Sequence, residues 1–302
     1  MCEIMPVMCP SCAKGQLKPW FTKTNSHGSF PVCVCKTCRS GFVWPRPPET
    51  TIVNYYECLH DGVLSVEERY KAALESERLH PNGSIDAARV VSLCKQLAPG
   101  KRFLDVGAGM GHFSKAAHHV GFQVAAIEPS EVARGVFHLM TGGLTAQSGM
   151  LDAAFTNAHV EEFDVVLLSQ VLEHVLDVPT TVQYLHRLLA PNGIACIAIP
   201  LRGSWSSSVL GRHDIHIIPP EHLNFFTRIG LVSLFERYGF KLENSHTVSR
   251  FDPRRAINKF PIPMLGRLAM PLLQLFLRIS DYADKGIFLN AYFRKRMDQV
   301  NN

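Results

Sequence analysis

The stretch at residues 103–130, FLDVGAGMGHFSKAAHHVGFQVAAIEPS, constrains this chain more than any other. Phe103, Leu104 and Val106 read as a short apolar strand. Gly107, Gly109 and Gly111 then let the backbone turn sharply and lie close to a ligand, where side chains would block the approach. Residues 111–120 are helical in pattern, with Phe113, Ala116, Ala117 and Val120 on one face and Gly121 at the end. Residues 122–127 form a second buried strand, and Glu128 stands at its carboxyl end, the edge of an open parallel sheet where ligands sit. A carboxylate there can accept both hydroxyls of a ribose. The unit reads as a nucleoside-binding βαβ.

The glycine spacing narrows the nucleoside. A nicotinamide dinucleotide fingerprint reads G-x-G-x-x-G, whereas here it is G-x-G-x-G, with Asp105 two residues before the first glycine. A buried acid facing that loop repels a pyrophosphate and suits a ligand with a positive amino group. The stretch resembles motif I of the class I S-adenosylmethionine-dependent methyltransferases. That resemblance implies that Asp105 and the loop of Gly107, Ala108, Gly109 and Gly111 hold the methionine end, and that Glu128, followed by Pro129, holds the ribose. A glycine-rich turn without a ligand is the plainer alternative.

A second segment strengthens the resemblance. EFDVVLLSQVLEHV, residues 162–175, is a strand followed by a polar turn and the start of a helix, and it looks like the fourth strand and following loop of the same family. Ser169, Gln170 and Val171 fall at the strand's carboxyl edge and should line the cofactor pocket. Glu173 and His174 either touch a ligand or tie the loop to the helix. Met150 and Leu151 match, more weakly, the position where the family contacts adenine.

A chain of 302 residues suits one sizeable domain plus an appendage. Its 46% hydrophobic and 19% charged residues are globular values, and a net charge of +5 allows an anionic partner without demanding one. No signal peptide is visible, and the longest apolar stretch, residues 263–279, is broken by Arg267, Gln274 and Arg278, so stable membrane insertion is not expected. Nine cysteines, four of them in C-x-x-C pairs, favour metal in a reducing compartment over disulfides, which points to a cytoplasmic protein.

Those pairs are Cys9 with Cys12 and, after twenty-two residues, Cys35 with Cys38. Each turn aims two thiolates at one ion, and four ligands close a tetrahedral shell, so structural zinc in a ribbon of about fifty residues is expected. Cys33 is a spare thiol that could stand in for Cys35. The proline-rich run at residues 42–48 should be an extended connector, with Tyr55 and Tyr56 packing on the ribbon or a substrate. This combination resembles the N-terminal extension of many bacterial small-molecule methyltransferases. Residues 65–79 and 84–97 then read as two helices capped by Ser65 and Ser84, covering the cofactor pocket from one side.

Further on, Ser130, Asp177 and Thr227 are candidate helix caps, residues 144–147 a plausible third strand, 194–199 a fifth, 240–248 a sixth, and 286–295 a closing antiparallel strand. Residues 250–285 form an insertion with an apolar helix, a lid or a homodimer face before a membrane-surface element. The long segment 200–227 is rich in His, Ser and aromatics, as substrate loops are. Its PPEHLNFFT, residues 219–227, resembles a segment of one bacterial branch of these methyltransferases, in whose sugar C-methylating relatives an E-H pair carries the general base. The resemblance therefore selects His222 as the catalytic base, with a purely loop-fixing role for Glu221 and His222 as the alternative. His213, Asp214 and His216 form at best a weak acid–base or metal cluster.

The expected architecture is α/β: a Rossmann-like methyltransferase sheet, parallel with one antiparallel closing strand, plus a small N-terminal zinc ribbon. Its divisions are 1–48 (ribbon), 49–98 (connector and covering helices) and 99–302 (catalytic domain). The expected reaction is in-line methyl transfer from S-adenosylmethionine to a small-molecule acceptor such as a sugar, natural product or polysaccharide precursor, leaving S-adenosylhomocysteine. Ribosomal RNA methylation ranks below it, since the ribbon lacks dense basic and aromatic interleaving. A silent scaffold ranks lowest, because Asp105, Gly107, Gly109 and Glu128 are intact.

Overall fold

The computed structural model describes residues 8–60, 64–79, 81–249 and 263–296. Its larger sheet is built from β4 (Arg102–Val106), β5 (Gln123–Ile127), β6 (Phe163–Ser169), β7 (Leu189–Pro200), β9 (Phe240–Val248) and β10 (Phe288–Lys295), in the order β5-β4-β6-β7-β10-β9. The β5, β4, β6 and β7 strands are parallel, while β10 runs antiparallel to both β7 and β9, as the expected closing strand should.

The near-continuous apolar character of the central strands has a geometric cause. Successive side chains alternate between faces, and both faces are covered. Phe103, Val165, Leu167, Ile194 and Cys196 point to one side, against Val90, Val91 and Cys94 of α3 (Asn82–Leu97) and Ala117 of α4 (His112–His119). Leu104, Val166, Leu168, Ala195 and Ile197 point to the other, against α7 (Val178–Leu188) and α9 (Arg228–Arg237). With each fully buried aliphatic side chain contributing about 1.5–3 kcal/mol, this double-sided core carries the fold. The loops at the carboxyl edge are left free to be polar.

Several local expectations hold. Ser130 caps α5 (Glu131–Thr141) by accepting from Ala133 N, Asp177 caps α7 through Thr180 N, and Thr227 caps α9 through Gly230 N. Ser65 and Glu68 form a reciprocal capping box at the start of α2 (Val66–Leu79). Three expectations change. The third strand at 144–147 shrinks to one bridge, Gln147 with Ile127, in a short segment bracketed by Gly143 and Gly149, both at positive φ, with Leu144 and Ala146 only half-buried. The proline-rich run at 42–48 stays free of helix, but directly beyond it, where no helix was expected, residues form α1 (Glu49–His60). Helix α3 starts two residues before the serine expected to cap it. Pro81, its φ already at −71°, occupies the cap position, and Ser84 instead donates to Glu77 in the preceding helix.

A smaller sheet has the order β1-β2-β3-β8, from β1 (Leu17–Asn25), β2 (Gly28–Cys35), β3 (Gly41–Val43) and β8 (Asn224–Phe225). The first three strands belong to the cysteine-rich region; the fourth comes from the segment after β7, nearly two hundred residues away. In the insertion, residues 250–262 lie outside the described residues, and the helix α10 (Pro263–Tyr282) follows. Among the described residues, no helix is long and apolar enough to cross a membrane.

Candidate active site

The glycine loop between β4 and α4 faces the loop after β6 at the carboxyl edge of the sheet. Its three glycines all sit at positive φ (66°, 51° and 85°), but each is required for its own reason. A Cβ on Gly107 would lie 2.7 Å from Val171, and one on Gly111 2.8 Å from the Phe137 ring, so these two permit close packing. A Cβ on Gly109 would meet nothing within 4 Å. It would project into open space at the sheet edge, the room a ligand needs beside a backbone.

Two acids frame that space. Glu128 accepts from Gly109 N and from Ser130 N, both at 2.9 Å, which clamps the glycine loop to the end of β5 and leaves carboxylate lone pairs for a further donor. Asp105 is fully buried beneath the loop and accepts from Ser114 Oγ at 2.7 Å. Burial pushes its pKa up to about 6 despite the Ser114 bond. A cationic ligand group at this position would relieve that cost. Ala108 N bonds to Ile127 O, and the carbonyl of Pro129 accepts from Arg134, so both residues stand at this edge with these backbone groups engaged within the protein. Opposite them, Ser169 ends β6, and Gln170 is held at φ 57° by its bonds to Ala198 O, a left-handed conformation unusual for a non-glycine residue. Of the expected adenine pair, Leu151 packs on the core, whereas Met150 is exposed.

The segment after β7 arrives beside this edge. Asn224 anchors it: its Nδ2 donates to the carbonyls of Leu172, Glu173 and Val175, tying β8 to the loop after β6. Arg46, from the proline-rich run, donates to Leu223 O and to Asn224 Oδ1. Tyr55 donates to Glu221 Oε2 at 2.8 Å, so this tyrosine binds the predicted catalytic segment and does more than pack. His222 is buried, its Nδ1 2.8 Å from His216 O, and burial lowers its pKa, favouring a neutral imidazole. A small cavity borders it, lined by Pro200, Arg202, Asp214, His216 and Asn224 among others. His216 pairs with Asp214 at 3.0 Å, whereas His213 is exposed and takes no part in that pair.

Beside His222 lie Glu173 and His174. The imidazoles of His174 and His222 meet edge to face at 4.7 Å, and the Nδ1 of His174 is 2.9 Å from Glu221 O. Glu173 is 1% exposed, and neither of its carboxylate oxygens has a hydrogen-bond partner. Burial pushes its pKa up to about 8 and that of His174 down to about 4. Sequence reasoning flagged Glu173-His174 and His222 separately; nothing in the sequence signalled that they meet.

The four expected thiols do come together. Cys9 and Cys38 sulfurs are 3.6 Å apart, Cys12 and Cys35 3.7 Å, and all four lie within 4.8 Å of one another. A tetrahedral ion with metal–sulfur bonds of about 2.3 Å requires sulfurs about 3.8 Å apart, so the set fits. Both turns are alike: Ala13 N bonds to Cys9 O and Arg39 N to Cys35 O, with Ala13 and Arg39 in the left-handed region. Thr37 N and Cys38 N point at Cys35 Sγ, as donors to a thiolate do. Cys33 turns away, its sulfur 3.8 Å from Trp44 O. The cluster also touches the other lobe. Thr227 Oγ1 donates to Cys38 O at 2.6 Å, Arg237 donates to the carbonyls of Pro10 and Ser11, and a Cβ on Gly230 would lie 3.3 Å from Cys38 Sγ.

Comparison with known proteins agrees with this geometry. The family described as "Methyltransferase domain" matches residues 84–245, more than half of the chain. A ubiquinone biosynthesis O-methyltransferase of Thiobacillus denitrificans is 39% identical over 97 residues, 31% of this chain and 42% of that protein. One from Rhodopseudomonas palustris is 33% identical over 117 residues, 37% of this chain and 44% of that protein. The chain thus spans about two fifths of the length of these curated relatives. Among solved structures, a methyltransferase of Archaeoglobus fulgidus superposes with a TM-score of 0.52 at 15% identity, covering 74% of this chain and 99% of that one. A methyltransferase of Thermotoga maritima, described as a possible histamine N-methyltransferase, superposes with a TM-score of 0.51 at 18% identity, covering 76% and 99%. These likenesses bear on the fold alone. A Rossmann-like sheet with an antiparallel closing strand, a glycine loop between two acids and a family match over most of that sheet lead to one conclusion: the chain belongs to the methyltransferase domain family and has the fold of S-adenosylmethionine-dependent methyltransferases.

Proposed function

We propose that the protein transfers the methyl group of S-adenosylmethionine to a small-molecule acceptor. The observation that carries this reading is the glycine edge: Gly109 opens onto empty space and is held by Glu128, Asp105 lies buried at the end of the strand before it, and Gly107 of the same loop packs on Val171 of the loop after β6, to which Asn224 ties the segment that carries His222. Asp105 would hold the amino group of the methionine end against the backbone of residues 107–111, and Glu128 the ribose. Ser169 and Gln170 would line the same pocket, and Leu151 and Met150 would flank the base. The bound sulfonium supplies an already activated methyl group, so the protein's work is positioning and acceptor activation. His222, neutral and in a pocket, is the residue that would activate the acceptor, in the simplest form as its general base.

The ribbon, with zinc on Cys9, Cys12, Cys35 and Cys38, would act within the enzyme. Its third strand pairs with β8, and its knuckle rests on α9, which favours a role in bracing the acceptor segment over nucleic-acid docking. The ubiquinone-pathway relatives, by name O-methyltransferases, make a hydroxyl of a small molecule the first acceptor to try.

Labelled S-adenosylmethionine incubated with a cell extract, then split into small-molecule, RNA and protein fractions, tests the reading. Label in the small-molecule fraction, lost with His222→Ala, is the expected outcome. Label in RNA would replace the acceptor class, and no transfer with intact cofactor binding would remove the activity.

A further inference from the structure

We propose that His216, oriented by Asp214, is the residue that takes the acceptor's proton, in the cavity at the end of β7. Pro200, the last residue of β7, lines that cavity together with Asp214, His216, His222 and Phe225. The cavity therefore lies at the carboxyl edge of the sheet, two strands from the glycine loop that follows β4, or about 10 Å at the usual strand spacing. Asp214 holds His216 twice over: its Oδ1 accepts from His216 N and lies 3.0 Å from His216 Nδ1. Burial alone would raise the pKa of Asp214, but bonds from His216 and from Ser207 of α8 (Trp205–Leu210) hold it below the usual carboxylate range, so the group is ionised. A carboxylate can only accept, so Nδ1 of His216 carries a hydrogen and Nε2 keeps its lone pair. Among the described residues that Nε2 makes no hydrogen bond. Phe288 of β10 meets the ring edge to face at 5.3 Å. A carboxylate fixing the tautomer and the orientation of an imidazole, and stabilising the imidazolium once it forms, is the arrangement of a general base.

The inference rests on the methyltransferase reading and refines it: His222 acts on the acceptor through His216 and is a positioning residue. The two imidazoles differ in access, His216 being half-buried and His222 buried. Nδ1 of His222 donates to His216 O at 2.8 Å, and its backbone N donates to Ile218 O, so both donors pin the loop at 216–222 back on itself. Burial lowers the pKa of His222, which weakens it as a proton acceptor, whereas His216 has an ionised carboxylate at its back. An acceptor hydroxyl gives its proton to Nε2 of His216. Its oxygen pair forms the C–O bond while the methyl–sulfur bond breaks, and that bonding pair stays on sulfur, leaving a neutral thioether. The imidazolium then releases the proton to solvent.

Asparagine separates the two roles, because its side-chain amide can donate from near the place of Nδ1 but cannot take a proton. His216→Asn thus keeps a donor to Asp214, and His222→Asn keeps one to His216 O. Transfer from labelled S-adenosylmethionine is measured with the full chain, the small-molecule fraction of a cell extract supplying the acceptor. His216→Asn should lower the rate at least a hundredfold, with S-adenosylmethionine affinity within about twofold of wild type. His222→Asn should keep at least a tenth of the wild-type rate, and His222→Ala should not. Asp214→Asn should cost at least tenfold alone and nothing further beside His216→Asn, as expected of a group that acts only through that ring. A smaller loss in His216→Asn, a His222→Asn as inactive as His222→Ala, or a further loss in the double variant overturns the assignment. Should His216→Asn fail to fold, the two His222 variants decide alone. Loss of S-adenosylmethionine binding by the wild type would instead overturn the methyltransferase reading on which it depends.

Discussion

The edge proposed to hold the cofactor and the edge proposed to meet the acceptor sit side by side in this protein but are built in opposite ways. At the cofactor edge, Asp105, the glycine loop and Glu128 all come from one βαβ unit of fewer than thirty residues, and their contacts follow from strand and turn geometry. The acceptor edge assembles Arg46 and Tyr55, the loop around Glu173, and the segment around His222, joined by hydrogen bonds spanning about fifty to nearly two hundred residues. A local unit can hold its ligand whatever happens elsewhere. An edge built from distant pieces depends on whatever braces them, here the cysteine cluster. The two edges should therefore fail independently.

The largest separation is expected from Cys38→Ser. Losing one of four thiolates would remove the ion proposed to organise both knuckles, and with it the β3–β8 pairing and the Thr227–Cys38 bond. Displacing the acceptor segment by about an ångström costs on the order of a hundredfold in rate. Methyl transfer should drop at least that far, while S-adenosylmethionine affinity, measured by calorimetry, stays within a few-fold. An equal loss of both would mean that the edges are not separable.

Asp105→Asn probes the other side. Because burial raises the Asp105 pKa to about 6, the group favours the folded state below the unfolded value near 4, and that advantage is lost as pH rises through about 6. Above that, the buried charge costs on the order of 2–3 kcal/mol. Urea unfolding at pH 8 should show the variant more stable than wild type by about that amount, with the gain vanishing at pH 4. Cofactor affinity should fall roughly a hundredfold if the charge holds an ammonium group. A stabilised variant that binds normally would mean that Asp105 serves only the fold.

Arg46→Met removes a smaller brace. The guanidinium is buried against Leu223 O and Asn224 Oδ1, its pKa lowered to about 10 by desolvation. Its loss should cut kcat about tenfold with cofactor affinity unchanged. Smallest is Thr227→Val, which deletes the α9 cap and the single bond to Cys38 O while leaving the four thiols in place, and should cost about 1–2 kcal/mol of stability in thermal unfolding, with a modest effect on rate.

The same contrast explains what could be read from the chain. The βαβ unit, the strands at 163–169, 194–199 and 240–248, the antiparallel closure and the caps at Ser130, Asp177 and Thr227 were legible because periodicity and capping chemistry act within a few residues. The cysteine pairs were legible because each spacing is a local turn, although choosing Cys35 over Cys33 took the fold: both lie on β2, and the knuckle bonds to Thr37 and Cys38 set which sulfur turns inward. Nothing local announces β8. Asn224 and Phe225 read as part of a loop, and their pairing with Gly41 and Phe42 arises only when the two lobes dock. Pro47 and Pro48 suggested a connector and gave no sign of the helix that Glu49 begins, although prolines are compatible with the residues just before one. Tyr55 on that helix then reaches Glu221.

The most direct measurement is a calorimetric titration of S-adenosylmethionine into the wild-type protein and Glu128→Ala. Glu128 accepts from Gly109 N and, on this account, from the ribose, so removing it takes away charge-assisted hydrogen bonds each worth about 1.5–3 kcal/mol. The account predicts one cofactor bound per wild-type chain, with affinity reduced roughly ten- to a hundredfold in the variant. No binding to the wild type, or equal binding to both, would contradict it.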